Sequence, residues 1–598
     1  MKNLDFNETR IEGGFWAFYE KLNRESVIKS VYHRYCETGR FDALKCGWRE
    51  GMENRPHIFW DSDVMKWIEG ASYILSKYPS DELEAVIDGM VEDIVKNQRE
   101  DGYFNSYFLT VEKGREYTDR AAHELYCTGH AVEAAIAYSK ATGKDKFLKS
   151  VLRSVEYIYR VFYEEGSAAF VTPGHEEIEL VLLKLYEYTC DEKHLKLAGF
   201  FLDKRGNNDR EEKMVYDQSD RPVREIREAS GHAVRALYLY TAMAEYARIT
   251  GDCDMLSACE RVFEDIVNTK MSITGGVGAD NFEERFSYKY DLPNLGNYNE
   301  TCAAIALSMF AGAMQKTRPD AKYGDVIERI YYNGFISGVS LDGERFFYSN
   351  PLEVDCKKYA RSSYLTRCER AKNFDCSCCP PNILRMLATL PRYAYTLDGD
   401  TVYCNQFIDG ETALTVNGMP AALKVKTDYP KSGTIKFSYS GEPVTMYVRI
   451  PDWCIEYTGE KEANGYARFE LKNGDSFTLE LPMEVHLMEA DPRVQDNSGR
   501  VAVQRGPVVY CMEGHDNGEN LRDVTLLNEC GFTVKNEEGI PAPVIYAKAC
   551  RRPLFPTLYR IRTDETGMTE FCARLIPYFA FANRTASDMM IWTMVQRY

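Results

Sequence analysis

Between residues 20 and 397, apolar side chains return at helical spacing, as in Val86, Met90 and Ile94. The runs stop at glycine or proline, as at Thr142-Gly143 and Thr250-Gly251. This pattern predicts about twelve helices, near 20–37, 61–77, 81–98, 120–141, 145–161, 174–189, 192–203, 229–250, 253–269, 298–315, 321–338 and 380–397. The segment Gly129-His130-Ala131-Val132 with its closing Thr142-Gly143-Lys144-Asp145 is echoed by Gly231-His232-Ala233-Val234 and Thr250-Gly251-Asp252. A fainter copy runs through Tyr188-Thr189-Cys190-Asp191. Repeated helix–turn–helix units predict a stack of α-hairpins. Twelve helices make six hairpins, the number that closes an (α/α)6 barrel, and one chemical centre in some 380 residues favours the closed form over an open solenoid.

After residue 398 the period changes to two. Val402 to Phe407, Thr434 to Tyr439, Val444 to Ile450 and Phe477 to Leu481 alternate, with turns such as Asn473-Gly474-Asp475 between them. The expected architecture is therefore multidomain α + β. An (α/α)6 barrel catalytic domain over 1–397 is followed by a β-sandwich over 398–500 and a second β-sandwich over 501–584, with 585–598 returning to complete the first.

Composition narrows the function classes. A net charge of −18 and a pI near 5.2, with no basic stripe, exclude a nucleic-acid binder. Aromatics at 13%, including 41 Tyr, suit sugar binding, although a large core alone accounts for such a content. The first 22 residues hold no apolar run of signal length, and no stretch of about 18 apolar residues exists, so a cytoplasmic protein without a membrane span is expected. The 18 scattered cysteines are then mostly free thiols.

Reactive side chains gather in three places. Tyr298-Asn299-Glu300-Thr301-Cys302 opens one helix, and Cys376-Ser377-Cys378-Cys379-Pro380-Pro381-Asn382 precedes the last barrel helix. Glu300, Cys302, Cys378 and Cys379 offer a Glu/Cys3 set for tetrahedral zinc, with Cys376 an alternative to either neighbour and plain buried thiols the competing account. Glu284, in Glu283-Glu284-Arg285-Phe286, lies among Phe282, Phe286, Tyr288 and Tyr290, surroundings that would raise a carboxyl pKa for general-acid work. His123, His130, His175 and His232 all fall near the first turns of predicted helices, where they would converge on one barrel mouth.

These segments, together with His57-Ile58-Phe59-Trp60-Asp61-Ser62-Asp63, His123-Glu124-Leu125-Tyr126-Cys127-Thr128-Gly129-His130, Tyr290-Asp291-Leu292-Pro293-Asn294 and Phe346-Phe347-Tyr348-Ser349-Asn350-Pro351-Leu352-Glu353, resemble glycoside hydrolase family 127, the β-L-arabinofuranosidases with a cysteine nucleophile. The resemblance spans nearly the whole chain. It implies an (α/α)6 barrel followed by β-sandwiches, Cys378 as nucleophile, Glu284 as general acid/base, and Zn2+ on Glu300, Cys302, Cys378 and Cys379. It also implies a sugar pocket lined by His123, His175, His232, Glu328 and Tyr348, and leaves His130 a structural role. The expected activity is a retaining exo-hydrolase that releases non-reducing-end L-arabinofuranose through a glycosyl-thioether. Its substrates would be small oligosaccharides or glycosides, and its outer sandwich is a surface on which two protomers would pair as a homodimer. The chain looks short between His175 and His232, which would alter the pocket rim. Competing readings are a glycosidase of the same scaffold with another plant-glycan sugar, an uronide hydrolase or lyase, and a noncatalytic sugar-binding protein with structural zinc.

Overall fold

The computed structural model describes residues 1–359, 367–372, 374–561 and 567–596. Twelve of its helices alternate between an outer and an inner ring. The inner ring starts with Trp60–Lys77, which packs on Glu124–Thr142, and continues through Ile178–Thr189, Ala233–Thr250 and Thr301–Thr317 to Cys379–Ala388. The last of these returns to Trp60–Lys77, so the ring closes. Ile28–Glu37, Asp81–Asn97, Lys146–Ile158, Glu192–Lys204, Cys253–Thr269 and Ala321–Arg329 form the outer ring.

The inner helices are covered on every side, and their sequences show why. Thr301–Thr317 carries Ala303, Ala304, Ala306, Ala311 and Gly312 among its buried residues, small side chains that let neighbouring axes approach. At Gly312 the approach is closest, since a Cβ there would lie 2.3 Å from the Tyr393 ring. The outer helices keep one apolar stripe, such as Ile87, Met90, Val91 and Ile94 of Asp81–Asn97. Arg385, buried in the barrel axis, is paired. Arg385 donates to Glu69 at 2.9 Å, to Glu133, and to the Tyr238 hydroxyl at 2.8 Å, and His130 Nδ1 lies 3.2 Å from Glu177. Such a network ties four inner helices together, and removing one partner would strand the others.

The middle domain is a sandwich of two five-stranded sheets, but the chain that completes it differs from expectation. Strand Lys2–Asn3 pairs with Tyr395–Asp398, and Thr9–Ile11 pairs with Gly410–Val416, so the N-terminus supplies one edge strand to each sheet. Phe469 of one sheet stacks on Phe477 of the other at 4.0 Å. The expected return of 585–598 to this sandwich is corrected. Met589–Met590 and Thr593–Val595 pair with Val508–Glu513, Arg500–Arg505 and Val524–Leu526, all in the C-terminal sheet. Val485–Met488 belongs there too, which moves the boundary upstream of 500.

The nine strands from Val485 onward and Glu353–Val354 of the catalytic domain form one ten-stranded sheet, which closes on itself because Arg500–Arg505 pairs both with Thr593–Val595 and with Val508–Glu513. Alternation along a strand reports burial of one face and is silent on which edges meet, which is why the last strands were assigned to the wrong sheet. Among the described residues, no helix is long and apolar enough to cross a membrane.

Candidate active site

Alternation of outer and inner helices makes all six inner helices run in the same sense, with their N-termini at one mouth. Functional side chains stand at those ends. His123, His232, Glu300 and Cys378 immediately precede the first residues of their helices, and His175 lies three residues before Ile178. Six helix N-termini aimed at one space give it a positive potential that favours thiolate and carboxylate.

Glu300, Cys302, Cys378 and Cys379 converge with ligand atoms all within 4.8 Å of one another. The sulfur–sulfur edges are 3.3, 3.7 and 3.8 Å, and Glu300 Oε1 lies 3.6 Å from Cys378 Sγ and 3.7 Å from Cys379 Sγ. A tetrahedral zinc, with Zn–S of about 2.3 Å and Zn–O of about 2.0 Å, has S···S edges of about 3.8 Å and S···O edges of about 3.5 Å. The four groups therefore fit such an ion, and the second oxygen of Glu300 is buried without a partner. Cys376 stands outside this set, 3.6 Å from the Tyr348 hydroxyl, which itself lies 3.1 Å from Cys378 Sγ. Cys376 is not one of the four groups whose ligand atoms converge.

Four acids packed together repel one another's charge. Burial, with the Cys378 and Glu284 charges added, pushes Glu300 well above the carboxylate range. Burial likewise raises Cys379 well above the thiol range. Burial opposes ionisation of Cys302 too, but thiol donation from Cys378 and Cys379 wins and brings it down to about 6. A divalent cation is the group that would let all four ionise together.

Glu284 sits on a tight loop whose ends are joined by paired backbone hydrogen bonds between Asp280 and Arg285, at 3.1 and 3.2 Å. Glu283 and Glu284 both adopt left-handed backbone angles, φ 57° and 55°, and His123 (60°) and Asn299 (43°) do the same nearby. Strain of about 1–3 kcal/mol per residue is retained where it serves a site. The Glu284 carboxylate accepts from Tyr298 at 2.6 Å through Oε1 and meets His232 Nε2 at 2.9 Å through Oε2. Burial works upward on this carboxyl, but those two hydrogen bonds and the nearby Arg235 charge hold it below the ordinary value. The aromatic surroundings expected to raise it are only partly enclosed: Phe286 is buried, but Phe282 is 64% and Tyr288 75% exposed.

The three pocket histidines follow in an arc. The rings of His123 and His175 are 6.0 Å apart and those of His175 and His232 6.3 Å. Tyr126 stacks between His175, at 4.2 Å, and His130, at 4.5 Å, so His130 supports the arc from inside the barrel. Gly129 makes this packing possible, because a Cβ there would lie 2.5 Å from the Glu177 side chain. His123, His175, His232 and Tyr348 are thus brought to one mouth with Glu284 and the thiols.

Glu328 is not. It lies on the outer helix Ala321–Arg329, where its carboxylate accepts from Arg449 at 2.5 Å, Tyr429 at 2.6 Å and Trp453 at 2.9 Å, all from the middle domain. Its place in the sugar pocket is corrected to a place in the domain interface. Sequence reasoning assigned no role to Tyr298, Tyr126 or Arg235. Tyr298 and Tyr126 stand inside segments singled out for their reactive neighbours, and that adjacency was the available signal.

Comparison with known proteins agrees with this geometry. Residues 8–392 match the β-L-arabinofuranosidase, GH127 catalytic domain, residues 401–483 the GH127 middle domain, and residues 485–594 the glycoside hydrolase family 127 C-terminal domain. The chain is 33% identical to a non-reducing end β-L-arabinofuranosidase of Bifidobacterium longum subsp. longum, over 90% of this chain and 89% of that one. It superposes on the crystal structure of a GH127 β-L-arabinofuranosidase from Geobacillus stearothermophilus T6 with a TM-score of 0.93, at 35% identity, covering 98% of this chain and 100% of the other. A second GH127 β-arabinofuranosidase structure gives a TM-score of 0.91 at 33% identity, covering 100% and 98%. With a Glu/Cys3 tetrad, a facing carboxylate and family matches across all three domains, the chain belongs to glycoside hydrolase family 127.

Proposed function

We propose that this enzyme is a retaining exo-glycosidase that releases L-arabinofuranose from the non-reducing ends of β-L-arabinofuranosides, with Cys378 as nucleophile and Glu284 as acid/base. The observation that carries the reading is the meeting, at one barrel mouth, of Cys378 in a metal-shaped tetrad with the Glu284 carboxylate, whose oxygen lies within 4.8 Å of Glu300. Glu300, Cys302, Cys378 and Cys379 would hold zinc, which supplies charge that keeps the thiols deprotonated near neutral pH.

The chain's own groups then perform a double displacement. Cys378 Sγ attacks the anomeric carbon while the bond to the leaving oxygen breaks and Glu284 gives that oxygen its proton. The product is a glycosyl-thioether on Cys378. Glu284, now a carboxylate, takes a proton from water as the water attacks the same carbon and the C–S bond breaks. Two inversions retain configuration. Tyr348, 3.1 Å from Cys378 Sγ, steadies the sulfur as it leaves. His123, His175 and His232 line the sugar's side of the mouth.

All 18 cysteines are free, which supports a reducing, cytoplasmic setting where the substrates are short imported glycosides. In the C-terminal domain, Leu558, Tyr559 and Ile561 are about nine-tenths exposed, which supports pairing of two protomers through that domain. Sedimentation of the wild type beside a variant with these three residues changed to Ser tests the pairing.

The activity is tested by following phenolate release from an aryl β-L-arabinofuranoside with zinc-replete protein beside Cys378→Ser. Release by the wild type alone is expected, with the first-formed sugar in the β configuration by NMR. No release by zinc-loaded wild type would remove the substrate assignment, and inverted product would remove Cys378 as nucleophile.

A further inference from the structure

His232 does two things with its two ring nitrogens. It caps the inner helix Ala233–Thr250, and there its Nδ1 accepts from the backbone N–H groups of Val234, at 3.2 Å, and Arg235, at 3.5 Å. An Nδ1 that accepts carries no proton, so the ring proton of neutral His232 is on Nε2. Nε2–H therefore donates to Glu284 Oε2 at 2.9 Å, and it cannot exchange that role for accepting without giving up the cap.

The other oxygen has a different partner. Tyr298, fully buried, reaches Glu284 Oε1 at 2.6 Å. Its backbone is fixed on both sides, by donation from its N–H to Ala279 O and by acceptance of Asn350 N–H, each at 3.1 Å. A phenolic hydroxyl both donates and accepts. It can donate to the carboxylate form and turn to accept from the acid form.

We propose that His232 and Tyr298 are positioning residues that confine the transferable proton of Glu284 to Oε1, the oxygen beside Tyr298. The inference rests on Glu284 being the acid/base. With Oε2 occupied by a fixed donor, the acid form carries its proton on Oε1, held by the Tyr298 oxygen until the leaving oxygen takes its place as acceptor. When that proton moves to the leaving oxygen and the C–O bond breaks, the Tyr298 O–H rotates to donate to the new carboxylate. The same hydrogen bond then holds the base while it takes a proton from water.

The test is the dependence of kcat/KM on leaving group. An aryl series from 2,4-dinitrophenyl to 4-methoxyphenyl β-L-arabinofuranosides is run on wild type, Glu284→Gln, Tyr298→Phe and His232→Asn, the last keeping a helix cap while removing the Nε2 donor. Proton donation matters little for dinitrophenolate and much for methoxyphenolate. Tyr298→Phe is expected to lose about tenfold to a hundredfold on the poor leaving group and little on the good one, with His232→Asn following in the same sense and Glu284→Gln steeper than both. If Glu284→Gln is selective but Tyr298→Phe loses equally on every substrate, Tyr298 is merely structural and the inference is overturned while Glu284 stands. If Glu284→Gln itself loses equally throughout, the acid/base reading falls and takes the inference with it.

Discussion

His123 Nδ1 lies 2.7 Å from the carbonyl of Ala121, so it carries the ring proton and leaves Nε2 free to accept a hydroxyl from a sugar. Burial, then the Arg235 charge, lowers its pKa from 6.5 to about 3. Burial lowers His175 and His232 as well. The sign of the pH effect follows. Between pH 6.5 and about 3 the unfolded chain binds protons that the folded pocket refuses, so folding stability is full above 6.5 and falls as pH drops through that window. Denaturant midpoints measured from pH 7.5 to 5 should decline, and the decline should be shallower in His123→Gln; equal slopes would mean that His123 takes up its proton in the folded pocket as readily as in the unfolded chain. Cys376 gives a second residue-scale prediction. Standing outside the tetrad, Cys376→Ser should keep bound zinc and most of the activity, changing stability by about 1 kcal/mol or less. Loss of zinc from that variant, measured by metal analysis, would return Cys376 to the ligand set.

At the scale of elements, the twelve helices were legible because each presents apolar residues at a period its neighbours enforce. The site was legible where it coincides with helix starts, since a residue such as Cys378 or His232 is recognisable beside the run it caps. Three features lay beyond that reading. The edge strands Lys2–Asn3 and Thr9–Ile11 are too short to show alternation, and their partners are nearly four hundred residues away. The hydrogen bond between Tyr298 and Glu284 joins a helix start to a strained loop, a contact no periodicity encodes. The family resemblance placed Glu328 in the sugar pocket, yet its carboxylate binds residues of the middle domain. That last correction is testable. Glu328→Ala would leave Arg449, buried to 0% exposure, facing Asp325 alone, and breaking such a pair costs about 3–5 kcal/mol. The melting temperature should fall by several degrees while KM, measured well below it, stays unchanged. A large rise in KM with an unchanged melting temperature would put Glu328 back in the pocket.

For the whole molecule, the barrel concentrates six helix N-termini and four ionisable ligands in one place, within a protein of net charge −18. Were all four ligands deprotonated, their charge would have to be compensated. Without a cation, burial holds Glu300 and Cys379 protonated, while hydrogen bonds from the neighbouring thiols favour the thiolate of Cys302. With one, all four deprotonate, and the binding energy becomes folding energy for the ends of the helices Thr301–Thr317 and Cys379–Ala388 that carry them. Metal analysis should therefore find one zinc per chain. Chelation should release it with loss of activity and a lower melting temperature, and added zinc should restore both. Cys302→Ser, which removes a ligand but neither proposed catalytic group, should mimic chelation. Full activity in a metal-free chain would mean instead that the helix N-termini suffice to hold Cys378 as a thiolate, and the tetrad would then be a cluster of hydrogen-bonded thiols with no need of an ion.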